Sequence, residues 1–465
     1  MLRKRKIIAT LGPASDSEAM ITKLIKAGVN VFRINFIHST PEIIKEYILK
    51  VQKIREKLNV PVSIMVDTRG PEIRVCKFDS KNVMLKRGQE FCFVDDCNFV
   101  GNQNCVAITQ PICVKNSKID GFVLANDGRL KLKIIDKQPN KLICKVLTTG
   151  ELRDNKSLSF VGQHFDFEFL NQKDKDDIKL ALDMGIEYIS ASFVNTVKDL
   201  DALKQYAYQY DKNIKIISKI ENLTGLKNLE DIVKNCDGVM VARGDLGVEA
   251  SFERLPIYQR QIINMANKHS KISIVATEML ESMITSIRPT RAEISDVSKA
   301  VFDGASAVML SGESAMGHDP VNCVKAMVKI IKEAESEFNY YASFENLSKN
   351  PQTSNELIIQ SAVNASFFLK CKAIVSYTSK GANALKFSTK FAKVPIVAIT
   401  DNQKTYNSLA MMCNCLPVLS KKEEDIFKQA KNVCTKLKIA SKNDLIIITT
   451  GTTDTISNVL KFENV

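Results

Sequence analysis

The chain has 465 residues, 45% of them hydrophobic and 25% charged, with a formal net charge of +13. That length exceeds one ordinary core and implies about two to four globular domains, and no run reaches the roughly 18 uninterrupted apolar residues that a membrane span needs. The positive excess comes from lysines spread along the whole chain, with no basic stripe interleaved with aromatics. It therefore argues for solvated helix faces that attract anionic metabolites, and against a nucleic-acid surface.

The N-terminal MLRKRKIIATLGPAS is basic, and Gly12 and Pro13 cut its apolar run too early for a secretory signal; it reads as a first strand. Eight short, almost continuously apolar runs follow in order: KIIATLG (6–12), NVFRINF (30–36), VSIMVDT (62–68), YISASF (188–193), KIISKIE (215–221), GVMVARGD (238–245), ISIVAT (272–277) and SAVMLSG (306–312). Each ends on polar residues, as parallel strands buried on both faces do. Helix-like stretches such as 41–58 and 255–269 separate most of them. This is the pattern of a (β/α)8 TIM barrel, an α/β fold.

One connection departs from that rhythm. Between Gly70 and about Gly162 the pattern is strand-rich, as in RLKLKIID (129–136) and KLICKVL (141–147), too long for a simple loop. The expectation is a small β-barrel domain at 71–159, inserted into a barrel formed by 1–70 and 160–335. Residues 336–465 regain βα alternation, at AIVSYTS (373–379), VPIVAIT (394–400) and DLIIITT (444–450), and read as a C-terminal α/β domain. The twelve cysteines lack metal spacing and read as reduced, cytoplasmic thiols used as small apolar residues; with only four histidines, Cys/His zinc chemistry is disfavoured.

The chemistry of such a barrel sits at the carboxyl ends of its strands. Lys219 and Glu221 are two apart on one strand and face the same way, and Asp245 arrives from the next run. Two carboxylates from neighbouring strands suit magnesium, which fills the rest of its shell with substrate oxygens, and Lys219 offers a point charge to a developing anion. Gly244 marks a close backbone approach. Thr277 and Glu278 end strand seven, and Ser311 and Glu313 strand eight. Arg33, Asn35 and Ile37 share a face after strand two, with His38 next. Asp67, Thr68, Arg69 and Arg74 follow strand three, and arginines there suit phosphate recognition. RPTRAE (288–293) reads as a helix cap.

Taken together, KIIATLGPAS, NVFRINF-x-H, DTRGPEIR, ISKIENLTG, MVARGDLGVE, ATEMLESM, RPTRAE and MLSGESAMG resemble the pyruvate kinase family in order and spacing. The resemblance implies transfer of the phosphoryl group of phosphoenolpyruvate to ADP, giving pyruvate and ATP, the last step of glycolysis. It implies a barrel with an inserted lid and a C-terminal α/β domain, assembled as a homotetramer, with no nucleic-acid or membrane partner. By the same resemblance, Arg33 binds the phosphoryl group and Lys219 stabilises it and the enolate. Glu221 and Asp245 hold Mg2+ or Mn2+, and Gly244 and Thr277 contact the substrate. Asn35, His38, Arg74 and Lys156 meet the nucleotide, and Asn35, Asp67 and Thr68 belong to a potassium site.

The chain also departs from the family pattern. Ile37 stands where a serine usually completes the potassium site, KSLSFVG (156–162) replaces a glycine- and proline-bearing hinge, and Glu278 replaces a glutamine. Glu72 keeps the acid that potassium-dependent members carry. TSKGAN (378–383) and TTGTTDTISN (449–458) retain only part of a sugar-bisphosphate site, so little activation by fructose 1,6-bisphosphate is expected. A metal-dependent enolpyruvate aldolase or lyase on a related barrel is the alternative; the inserted domain, DTRGPEIR and Lys156 argue against it. A non-catalytic descendant would have lost Lys219, Glu221 or Asp245.

Overall fold

Eight parallel strands close into a barrel in the computed structural model, which describes residues 3–126, 128–163, 165–347, 351, 353–451 and 459–465. They are β1 (Lys6–Thr10), β2 (Val31–Asn35), β3 (Ser63–Asp67), β4 (Tyr188–Ala191), β5 (Lys215–Ile220), β6 (Gly238–Ala242), β7 (Ile272–Ala276) and β8 (Ala307–Leu310). Each pairs with its sequence neighbour, and β8 closes onto β1 with Lys6 opposite Ala307. Every one of the eight apolar runs contains one of these strands. Side chains alternate between two cores. Ile8, Val31, Met65, Tyr188, Ile217, Met240, Ile274 and Met309 fill the barrel, while Ile7, Phe32, Ile64, Ile189 and Ile216 face the helices.

The helices begin and end where local chemistry dictates. The helix Pro41–Leu58 starts behind Thr40, whose hydroxyl accepts the Ile43 N–H, and ends at Asn59 in the left-handed conformation, one of the few non-glycine residues that tolerate it. RPTRAE forms the expected cap: Thr290 and Glu293 make a reciprocal capping box at the start of Arg291–Phe302.

After β3 the chain leaves the barrel. A six-stranded sheet follows, in the order Leu158–Phe160, Phe122–Ala125, Leu130–Gln138, Lys141–Val146, Glu90–Val94, Cys105–Ala107. Bridges Arg74↔Ser157 and Val75↔Ile108 tie its two edges through one extended segment, so the sheet curls around its own core of Phe91, Phe93, Val123, Leu132 and Phe160. One sequence expectation fails in this domain. Cys92 and Cys105 are partners in register on neighbouring strands, Cα to Cα 4.5 Å, and are bonded as a disulfide. A local strand pairing set that contact, and cysteine spacing alone could not reveal it.

The C-terminal domain is a five-stranded sheet with helices on both sides. Its strands are β9 (Ile374–Tyr377), β10 (Ile396–Thr400), β11 (Cys415–Leu419), β12 (Leu445–Thr450) and β13 (Val459–Asn464), ordered β11-β10-β9-β12-β13, with β13 antiparallel. β11 and β13 were not legible in the sequence. Most of TTGTTDTISN lies outside the described residues. This domain packs under the barrel: Met411 enters the barrel's interior core, and Tyr188 donates to the Ser408 carbonyl at 2.7 Å. No described helix is long and apolar enough to cross a membrane.

Candidate active site

The carboxyl ends of β2, β3 and β5 bring four charges into one buried cluster. Arg33 donates from Nε to Asp67 Oδ2 at 3.0 Å and from Nη1 to Thr10 at 3.1 Å. Lys219 Nζ lies 2.8 Å from Glu221 Oε1 and 3.4 Å from Asp67 Oδ1. Lys219 and Glu221 therefore do point together, as their spacing implies. Burial alone would raise the Asp67 carboxyl, but the charges of Arg33 and Lys219 outweigh it and hold the group below its ordinary value. Burial, with Asp245 nearby, pushes Glu221 up to about 7 against the opposing pull of Lys219. Lys219 goes the other way: burial disfavours its charge, yet Asp67 and Glu221 more than compensate and raise it.

Asp245 reaches the cluster by another route than expected. β6 ends at Ala242, and Asp245 sits in the first turn of the helix Arg243–Glu249. Its carboxyl opens to the cleft and is raised by loss of solvent and by Glu72. Beside it, the Gly244 N–H donates to Thr277 Oγ1 at 2.9 Å. A Cβ on Gly244 would lie 3.7 Å from Thr277 Cγ2, an ordinary contact, so packing within the chain does not itself demand glycine there. Thr277 and Glu278 both have positive φ, 68° and 51°. That is a costly conformation for a β-branched residue, and Arg243 holds it by donating to the carbonyls of Ala276 and Thr277.

Two residues that the sequence reading passed over complete the cluster. Ser192, just beyond β4, accepts from Lys219 Nζ at 2.8 Å, and its own hydroxyl donates to the Thr68 carbonyl at 2.7 Å. Its neighbour Phe193, at φ 57°, turns its N–H onto Glu221 Oε2. One short turn thus fixes both the lysine and the carboxylate. The signal was a serine at the carboxyl end of a barrel strand, in YISASF.

Other candidates fall differently. The strand alternation stops at Asn35, where the chain enters a 3-10 turn over Phe36–His38, and Asn35 Oδ1 accepts the Ile37 N–H at 3.0 Å. Ile37 is consequently exposed (42%) and not on a shared strand face with Arg33; His38 is exposed beside it. Thr68 is buried, its hydroxyl accepting the Ser192 N–H. Arg69 is not free for phosphate: it is locked to Asp177 at 2.6 Å and to the Phe36 carbonyl. Glu313 is structural, accepting the N–H groups of Leu280 and Ser311.

The inserted domain is folded down over this mouth. Gly70, at φ 70°, begins the departure, and a Cβ there would meet the Ser192 carbonyl at 2.8 Å, so only glycine fits. Arg74 donates from Nε to Glu72 at 2.9 Å and from Nη1 to the Asn155 carbonyl at 2.8 Å, and Ser157 donates to the other Glu72 oxygen. The Lys156 side chain, half-buried alongside, has no hydrogen-bond or ion-pair partner among the described residues. Ser159 donates to Glu249 of the barrel. Between lid and barrel lies a cavity of about 110 Å3 onto which Glu72, Phe193, Glu221 and Asp245 open.

Comparison with known proteins matches this architecture in two blocks. Residues 2–324 match the pyruvate kinase barrel domain and residues 356–461 the pyruvate kinase alpha/beta domain. The chain is 35% identical to the pyruvate kinase of Clostridium perfringens over all of both chains. It is also 35% identical to that of Thermotoga maritima, over 99% of this chain and 100% of the relative. A solved pyruvate kinase structure from Cryptosporidium parvum superposes with a TM-score of 0.95 at 31% identity, covering 99% of this chain and 96% of that one. These matches span the inserted domain and the C-terminal domain as well as the barrel, which leaves the aldolase alternative without support. The chain belongs to the pyruvate kinase family.

Proposed function

We propose that this phosphotransferase moves the phosphoryl group of phosphoenolpyruvate to ADP, giving pyruvate and ATP in the last step of glycolysis, in the cytoplasm. The observation that carries the reading is the group of Asp67, Glu221 and Asp245 facing Arg33 and Lys219 under a lid. Three carboxyl groups face two cations, and Asp67 Oδ1 is buried against the Lys219 ammonium at 3.4 Å without accepting a hydrogen bond. Such a donor set fits a hard cation. Glu221 and Asp245 would hold Mg2+ or Mn2+, which when bound neutralises charge on the substrate's oxygens.

The chain's own residues then divide the work. Arg33, fixed by Asp67 and Thr10, presents a planar, permanently charged group to the phosphoryl in transit. Lys219 stabilises charge developing on the phosphoryl and the enolate. The strained Thr277, beside Gly244, meets the substrate where the enolate is protonated. Arg74, Lys156, His38 and Asn35 take the nucleotide, and closure of the lid excludes water. Formation of ATP from phosphoenolpyruvate and ADP, followed by a coupled assay, tests the assignment; absence of ATP formation with Mg2+ present would overturn it.

Ser192 is the positioning residue for Lys219. Ser192→Ala should lower turnover about tenfold or more, the worth of one hydrogen bond to a charged group, with little change in the KM for phosphoenolpyruvate. A pure KM effect would contradict that role.

Potassium is the second ion. Asn35, Asp67 and Thr68 would supply oxygens, and Ile37 supplies none. Glu72 keeps its negative charge beside this group and is paired with Arg74. Activity should remain potassium-stimulated but require more potassium than a serine-bearing relative, and Ile37→Ser should lower the requirement. The measurement is activity against potassium at fixed ionic strength; superimposable curves for the two proteins would remove the argument.

A homotetramer is the assembly we assign, with the barrel at 1–70 and 160–335, the lid at 71–159 and the C-terminal domain at 336–465. Large apolar side chains stand exposed at Phe252 (85%) and Ile287 (78%), with Ile257 and Ile294 near them in sequence; apolar side chains that fall together in space mark interaction surfaces. Light scattering reads the assembly directly.

A further inference from the structure

Cys76, Cys92, Cys97 and Cys105 are scattered in sequence, yet the fold gathers them at one edge of the inserted domain's sheet. Cys92 and Cys105 already form a disulfide between neighbouring strands. Cys76 packs into the same small apolar cluster, with Cys92, Val94, Phe99, Cys105 and Ala107. It lies on the strap that leaves the barrel, between the bridges Val75↔Ile108 and Phe78↔Gly101, and its N–H donates to the Ala107 carbonyl at 2.9 Å. Cys97 lies in the turn after the strand Glu90–Val94, which the Phe99 N–H closes onto the Asp96 carbonyl at 3.0 Å. Its thiol donates to the Ile108 carbonyl at 3.6 Å. Two consecutive carbonyls therefore anchor the two residues, and their thiols are in hydrogen-bond contact.

The two thiols differ in a way that suits sequential exchange. Cys97 is exposed and Cys76 half-buried; burial and the adjoining Cys97 push the Cys76 thiol up. Attack on a disulfide needs an accessible thiolate, so Cys97 is the point of entry. Its thiolate attacks one sulfur of a low-molecular-mass disulfide, forms a mixed disulfide and releases one thiolate, which takes up a proton. Cys76, deprotonated in turn, attacks the Cys97 sulfur and expels the second thiolate. Two protein thiols are thereby oxidised to one bond, and one small disulfide is reduced to two thiols.

We propose that Cys76 and Cys97 are a redox-active pair that closes a second disulfide, tethering the strap that carries Arg74 to the turn at Cys97. A bond that opens and closes is the usual form of a disulfide in a reducing compartment. Its consequence rests on the assignment of Arg74 to the nucleotide made above. Arg74 shares the strap with Cys76 and is pinned to Thr109 beside it: its N–H donates to Thr109 Oγ1 and its carbonyl accepts the Thr109 N–H, both at 2.9 Å. Ile108, which anchors Cys97, is the next residue along. Arg74 is held by Glu72 in this structure, and a strap tied to the turn has less freedom to release it toward a nucleotide.

The test is incubation of the full chain in glutathione buffers of graded redox poise, then alkylation and peptide mapping without reduction. A Cys76–Cys97 cross-linked peptide should appear as the buffer becomes oxidising and vanish as it becomes reducing. Cys113 and Cys144, whose thiols burial pushes up to about 12, should stay unbonded throughout. Oxidation should raise the KM for ADP, leave that for phosphoenolpyruvate in place, and reverse with dithiothreitol. Cys97→Ser, a change at an exposed turn, should show neither cross-link nor shift. Cys76 and Cys97 remaining unlinked in every buffer, or Cys76 bonding to Cys92 or Cys105 instead, overturns the pair. A cross-link that leaves the KM for ADP unmoved, or a shift that persists in Cys97→Ser, overturns the hold on Arg74. The peptide map needs no activity, so its failure is distinct from failure of the catalytic reading, which ATP formation by the reduced protein decides.

Discussion

Lys219→Met should lower turnover by roughly 10²–10³-fold or more, the usual cost of removing one preorganised electrostatic donor. The methionine keeps most of the aliphatic length and removes only the charge. If Lys219 acts on charge that develops during transfer, the loss falls on kcat, and the KM for phosphoenolpyruvate barely moves. A variant within tenfold of wild-type turnover would remove Lys219 from the role, and a thermal melt separates either outcome from loss of fold.

Glu221→Gln carries the other large effect. It removes a charged oxygen ligand from the cation and places an amide beside the Lys219 ammonium. The carbonyl of that amide can still accept the Phe193 N–H, so local backbone geometry should persist. Even the outer partners of metal ligands are worth about 10–100-fold in metal affinity or activity, and a direct ligand should cost at least that. The expected result is a steep rise in the Mg2+ or Mn2+ needed for half-maximal activity, matched more mildly by Asp245→Asn, whose carboxylate is more open to solvent. Unchanged half-saturation in both variants would mean that the cation binds elsewhere.

The barrel was legible because its signal is local: eight apolar runs with polar ends, each long enough for one strand. Lys219 and Glu221 were legible for the same reason, since a period of two fixes their common direction. What failed lay where the chain leaves regular structure. Asp245 and Ile37 were both assigned by extending strand alternation past the last paired residue, and a helix and a 3-10 turn respectively had already begun. Arg69 looked like a phosphate ligand because its partners, Asp174 and Asp177, lie far along the chain, beyond the whole inserted domain. Ser192 was overlooked because a hydroxyl gains meaning only once its neighbours in space are known. The Cys92–Cys105 pair depended on register between two strands, which no composition records.

Met411 gives the C-terminal domain an obligation apart from any ligand it binds. A barrel open at its floor would expose Tyr188 and the apolar side chains above it to water, and Met411, with Leu385 packed against the same core, stops that opening. The catalytic module is in this sense unfinished without the segment that follows it in the chain. Shortening the protein to its first two domains would therefore yield a leaking barrel, not a smaller enzyme, and any lineage that discarded the third would have to invent another stopper.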